Sequence, residues 1–187
     1  GYTETGNGDI VTWSIGHLLE QAEPQFYNPE FKKWSVDHLP IIPDEWKLVA
    51  KTKTKKQLSV VKKLIKQADQ LVNVGDPDRE GQILVDEVIN FCGVSKAKNA
   101  KTLRCLISDL NHSAVKKSVN SLQKNSDFIP LATSALARAR ADWLYGINMT
   151  RLCTLQGQKS GYQGVLSIGR VQTPVLGLVV HRDMEIE

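Results

Sequence analysis

At 187 residues, 41% hydrophobic and 24% charged, the chain has room for one domain and part of a second, with the composition of an ordinary globular protein. No apolar run reaches the ~18 residues that span a bilayer and no basic-then-apolar leader opens the chain, so a membrane partner is not expected. Net charge is only +4, but eight lysines and no acid fall between Lys47 and Lys66, and five arginines and one lysine face Asp142 alone from Phe128 to Arg182; such local excess suits a polyanion, or equally a solvated lysine face.

In chain order, Gly6-Asn7-Gly8-Asp9 followed by Ile10 to Trp13 reads as a turn and a strand. Residues Pro24 to Trp46 hold four of the seven prolines together with Phe26, Tyr27, Phe31, Trp34 and Trp46, an irregular aromatic excursion. Leu58, Val61, Leu64, Ile65 and Ala68 recur at helical spacing. A short apolar run, Leu71 to Val74, reads as a buried strand. The string Asp76-Pro77-Asp78-Arg79-Glu80-Gly81 follows, and then a helix through Ile83, Leu84, Val88 and Ile89. A second short run, Leu103 to Ile107, precedes a helix from His112 to about Lys124 with Asn111 as N-cap. This alternation predicts an open parallel α/β sheet. After Pro130 an alanine-rich helical stretch runs to about Leu155, glycines cluster from Gly157 to Gly169, and a last helix covers Val175 to Arg182. The expected division is a sheet domain over 1–107 and a mainly helical region over 108–187.

The three cysteines (Cys92, Cys105, Cys153) are scattered with no C-x-x-C pair. Finger or ribbon zinc sites are therefore not supported, and free thiols point to a reducing cytoplasm.

Asp76, Asp78 and Glu80 alternate just beyond a parallel strand, where open α/β sheets bind ligands. Pro77 biases Asp76 to an extended backbone, so the acids can fan toward one point. Three like charges need a counter-charge, and Mg²⁺ suits them, being a hard cation that takes one or two carboxylates and keeps waters or phosphate oxygens. A surface turn is the alternative, since Asp-Pro-Asp and Arg-Glu-Gly are both good turn chemistry.

The string Gly75-Asp76-Pro77-Asp78-Arg79-Glu80-Gly81-Gln82 resembles the D-x-D-x-E signature of the Toprim domain as type IA DNA topoisomerases write it, with Gln82 closer to the bacterial topoisomerase III kind. Asn7 to Glu20, Ala135 to Arg151 and Leu166 to Val180 resemble the same family, so the likeness covers essentially the whole chain. It implies a Rossmann-like Toprim domain lacking its first strand, then the start of the helical domain lining a single-strand groove. It further implies Mg²⁺ held by Asp76, Asp78 and Glu80, with Asp76 and Asp78 as the direct ligands and Glu80 more in proton handling or charge balance. Arg79 would steer phosphate, with a helix-capping or surface salt-bridge role as the alternative. Ser167, Ile168, Gly169, Arg170, Val171 and Gln172 would lie along DNA: Gly169 permits close approach, Arg170 forks onto phosphate, and Ser167 and Gln172 donate hydrogen bonds. Trp34, Trp143 and Arg151 match DNA-facing positions; for the tryptophans core packing is the alternative.

The family's nucleophilic tyrosine has no counterpart here, because Tyr2, Tyr27, Tyr145 and Tyr162 lack its motif. This chain alone is therefore expected to be inactive, as a piece of an ATP-independent enzyme. That enzyme would cut and religate one strand through a 5′-phosphotyrosine, relaxing negative supercoils and decatenating DNA. Its partners would be single-stranded or negatively supercoiled DNA, and a helicase, in the cytoplasm at the nucleoid. Rival readings are a DNA-binding module, another Toprim enzyme such as a primase or nuclease, and a structural α/β domain.

Overall fold

A computed structural model of the chain describes residues 1–186. These form two compact units, one from Gly1–Glu20 with Leu48–Leu136, the other from Gln21–Lys47 with the chain from Ala137 onward.

The first unit opens with a hairpin, β1 (Tyr2–Glu4) against β2 (Ile10–Thr12), antiparallel with Tyr2 opposite Thr12. Gly8, at φ +87°, makes the turn, which Asn7 closes by donating to the Asp9 carboxylate at 2.7 Å. β3 (Leu19–Gln21) pairs with β4 (Leu48–Ala50). A 3-10 turn then leads into α1 (Lys55–Gln67), whose Gln57, Leu58, Val61 and Ile65 are buried. Leu58, Val61 and Ile65, on one face of a 3.6-residue period, pack with Leu18, Leu19, Val88, Ile89 and Cys92 into the core of the unit. Each such aliphatic side chain contributes about 1.5–3 kcal/mol on burial.

β5 (Val72–Asn73) and β6 (Leu103–Arg104) are parallel, joined through α2 (Arg79–Phe91) and α3 (Lys96–Ala100). α4 (His112–Val119) begins where expected, with the Asn111 side chain accepting from the Ala114 N–H at 2.8 Å. It ends about five residues short of Lys124. Asn120 and Ser121 turn the chain with backbone bonds to Lys116 and Ser118, and β7 (Gln123–Lys124) then pairs antiparallel with β6. The fold is α/β as expected, but this sheet is mixed rather than wholly parallel. A 3-10 turn, Asn125–Phe128, leads into α5 (Ile129–Lys159), whose first two turns belong to this unit.

In the second unit the aromatic excursion is irregular, as its prolines require: three 3-10 turns, two of them capped by Asn28 and Ser35, and a cis Leu39–Pro40 bond. It packs on α5. The Trp143 indole donates to the Ala22 carbonyl at 3.2 Å and meets Tyr27 and Trp46 edge-on at 5.8 and 5.5 Å between ring centroids. Asn148 clamps the Ile41 backbone from both sides, accepting from its N–H at 2.6 Å and donating to its carbonyl at 3.0 Å. α6 (Gln172–Ile186) closes the described chain. No helix among the described residues is long and apolar enough to cross a membrane.

Candidate active site

The acid loop leaves β5 at Asn73 and enters α2 at Arg79. Its path is fixed by two glycines that touch. A Cβ on Gly75 would lie 2.1 Å from the Gly81 carbonyl oxygen, and one on Gly81 would lie 2.4 Å from both the Asp76 nitrogen and its oxygen. Neither position tolerates a side chain. Asp78 is the N-cap of α2, its Oδ1 accepting from the Gly81 N–H at 2.7 Å. The cap answers one orphan amide of the helix start, and the carboxylate also suits the positive end of the helix dipole.

Under the loop sits Arg104 of β6, 0% exposed. Its Nη1 donates to the carbonyls of Gly75 (2.7 Å), Cys105 (3.0 Å) and Asn73 (3.2 Å), and its Nη2 to the carbonyl of Asp76 (2.6 Å). Burial pushes the guanidinium pKa down, opposed first by Asp86 and more weakly by Cys105, Asp76 and Asp78. Asp86, on α2, accepts from three side-chain amides: Asn73 at 3.1 Å, Asn125 at 2.9 Å and Gln82 at 2.8 Å. Gln82 also donates to Asn125 at 2.9 Å and is fully buried. Gln82, which closes the acid string in the sequence, is thus a strut under the loop.

Asp76, Asp78, Arg79 and Glu80 all face solvent. Among the described residues no group of three or more His, Cys, Asp or Glu side chains stands close enough to hold a metal ion, so the expected fan is not drawn to one point. One carboxylate oxygen of Asp78 is committed to the helix cap. The donor chemistry nevertheless fits a hard divalent cation, since oxygen ligands on an open loop leave room for waters and phosphate. His17 stands 4.0 Å from both Glu80 and Glu87, a placement no motif in the sequence signals.

In the second unit, residues 166–169 run along α5, held by its threonines. Thr154 Oγ1 accepts from the Leu166 N–H at 2.9 Å. Thr150 Oγ1 accepts from the Ile168 N–H at 2.9 Å and donates to the Ile168 carbonyl at 3.2 Å. Ser167 points outward and accepts from Gln172 Nε2 at 2.9 Å. The Gly169 N–H donates to Thr173 at 3.0 Å. Arg170 and Val171 are exposed, Ile168 half-buried. Arg170 forks onto Asp142 of α5 through Nε and Nη2, and Arg138 lies 3.7 Å from the same carboxylate. The hydrogen bond from Arg170 holds the Asp142 carboxyl below the usual carboxylate range, against a smaller opposing effect of burial, and raises the pKa of Arg170.

The aromatic and basic positions expected at DNA are built into the packing. Arg151 is 5% exposed, donates to the Phe31 carbonyl at 2.7 Å and lies 5.2 Å from the Trp34 ring centroid. Arg140 sits likewise 5.1 Å from the Trp46 centroid in a cation–π arrangement, and the Nε of both arginines is buried without a hydrogen-bond partner among the described residues. Trp34 and Trp143 are half-buried.

A model of the Toprim domain matches residues 2–110. The chain belongs to the Toprim family. A second model, described as DNA topoisomerase, matches residues 126–187. The DNA topoisomerase 3 of Haemophilus influenzae is 67% identical over 187 residues, all of this chain and 29% of that protein. That of Vibrio cholerae is 62% identical over the same span and share, and that of Bacillus subtilis 39% identical over 189 residues, covering 25% of its length. The chain therefore spans less than a third of these relatives. The resemblance to the bacterial topoisomerase III kind holds along the whole chain, and the Toprim domain carries the acid loop at its expected place, between β5 and α2.

Proposed function

We propose that this chain is the metal- and strand-binding part of a type IA DNA topoisomerase, an ATP-independent isomerase. The observation that carries the proposal is the acid loop of the Toprim domain, bracketed by two glycines in contact and held from below by Arg104. On this reading residues 1–107 are the Toprim domain and 108–187 begin the helical domain along the single strand.

Asp76, Asp78 and Glu80 would hold Mg²⁺, with Asp76 and Asp78 as direct ligands and Glu80 balancing charge or handling a proton. A bound Mg²⁺ supplies charge neutralisation at a phosphate oxygen. Arg79, exposed beside the acids, steers the phosphate toward them. The exposed Ser167, Arg170, Val171 and Gln172, with Ile168 and Gly169 between them, face the strand. Arg170 would trade part of its Asp142 contact for phosphate. Trp34, Trp143 and Arg151 would face the strand, the two tryptophans offering ring surface on which bases stack. The substrate is single-stranded or negatively supercoiled DNA in the cytoplasm, which a helicase partner would help expose. The nucleophilic tyrosine, supplied elsewhere in the whole protein, attacks one strand to leave a 5′-phosphotyrosine and a free 3′ hydroxyl. Reversal reforms the phosphodiester after strand passage, relaxing negative supercoils or decatenating DNA.

The whole protein, incubated with a single strand labelled at its 3′ end, is expected to carry that label covalently. A label that never follows the protein overturns the reading.

A further inference from the structure

The polar cluster beneath the acid loop poses a charge problem that the loop's proposed role sharpens. Arg104 is buried, and its hydrogen bonds go to the backbone carbonyls of Asn73, Gly75, Asp76 and Cys105, with a long contact to the Asn73 side chain. No carboxylate among the described residues is hydrogen-bonded to it. A buried cation needs compensating negative charge, and the acids near enough to act on it are Asp86, Asp76 and Asp78, with Asp86 foremost. A divalent cation at Asp76 and Asp78 would draw on the charge of those two. Asp86 alone would then offset Arg104, and it is fixed in place by three amide N–H groups directed at it from Asn73, Gln82 and Asn125.

We propose that Asp86 is a positioning residue for metal binding: by fixing Asn73, Gln82 and Asn125 and offsetting Arg104, it lets the acid loop accept a dication above a buried guanidinium. The inference rests on the reading of Asp76 and Asp78 as metal ligands. It predicts that the charge of Asp86 matters more with metal bound than without. An Asp86→Asn substitution removes that charge and leaves one of the three incoming amides facing an NH₂ group. An Asp86→Glu substitution keeps the charge and misplaces it by one methylene.

The test uses the whole protein with Mg²⁺ alone as ligand, followed by calorimetry, and with single-stranded DNA affinity measured separately in chelator. Asp86→Asn is expected to raise the Mg²⁺ concentration for half-saturation by about tenfold or more, the usual scale for a group supporting metal ligands. Its DNA affinity without metal should equal that of the wild type. Asp86→Glu is expected to recover most of the metal affinity, even where its melting temperature falls. A folded Asp86→Asn protein with wild-type Mg²⁺ affinity overturns the inference, as does an Asp86→Glu protein as impaired as Asp86→Asn. If Asp86→Asn does not fold, Asp86→Glu decides alone: Mg²⁺ half-saturation near that of the wild type is expected, and a folded Asp86→Glu protein weakened by about tenfold or more overturns the inference. A wild-type protein without saturable Mg²⁺ binding brings down the metal reading itself, and this inference with it.

Discussion

Gly81 and Gly75 decide whether the acid loop exists. The space for a Cβ at Gly81 is occupied by backbone atoms of Asp76, and that at Gly75 by the Gly81 carbonyl. Backbone cannot rotate aside as a flexible side chain can, so Gly81→Ala must push Asp76 away from its clamp on Arg104. Overpacking of this kind costs about 1–3 kcal/mol. Gly81→Ala in the whole protein is thus expected to unfold at a lower temperature and to lose Mg²⁺ binding. Wild-type melting and metal response in that variant would contradict the loop geometry. A second residue-scale prediction concerns Asp142. Arg170 holds its folded pKa below the usual range, so the pair is intact above the ~3.9 of a free aspartate and loosens as pH falls through the depressed value. Both partners are well exposed, so little stability rides on the pair. A carboxyl-carbon NMR titration is expected to place the Asp142 midpoint below ~3.9, and Arg170→Gln should raise it. An unmoved midpoint would mean the fork is not formed in solution. The acids themselves were legible in the sequence, because strand end, turn and helix start are adjacent along the chain. Arg104, Asp86, Asn73 and Asn125 were not. Each is an ordinary polar residue until the sheet brings together positions as far apart as Asn73 and Asn125.

At the scale of elements, the strong periodicities were readable and the weak ends were not. α1, α2 and the N-cap of α4 stand where their apolar spacing and Asn111 put them. The end of α4 was hidden, because Asn120, Ser121 and Gln123 suit a solvated helix as well as a turn. Only the pairing of β7 with β6 settles the matter in favour of a strand. The tryptophans show the same limit: Trp143 is equally at home stacking a base or packing a core, and its indole bond to the Ala22 carbonyl depends on a residue 121 positions away. The threonines of α5 carry a prediction at this scale. Thr150 and Thr154, one turn apart, are the acceptors for the Ile168 and Leu166 amides. Changing both to Val keeps shape and removes the acceptors, at a cost of about 1–3 kcal/mol for each unsatisfied amide. Amide exchange at Leu166 and Ile168 is expected to speed up while α5 stays protected. Unchanged exchange would show that the segment is held by something other than these hydroxyls.

For the molecule as a whole, the proposed metal-binding residues fall in one compact unit and the proposed strand-binding residues in the other, with α5 passing from one to the other. The division of the excursion 21–47 from the sheet residues on either side of it was not readable, since nothing in its composition names its packing partner. The most direct measurement is strand cleavage by the whole protein on a single strand labelled at its 3′ end, first in chelator and then with Mg²⁺ added. The account predicts a covalent protein–DNA link bearing the 3′ label. In the wild type it should resolve to full-length strand when Mg²⁺ arrives. In an Asp76→Asn, Asp78→Asn double variant resolution should be slower by ~100-fold, the scale of losing metal charge neutralisation at the reacting phosphate. No covalent link, a link to the other end of the break, or religation in the double variant at the wild-type rate would contradict it.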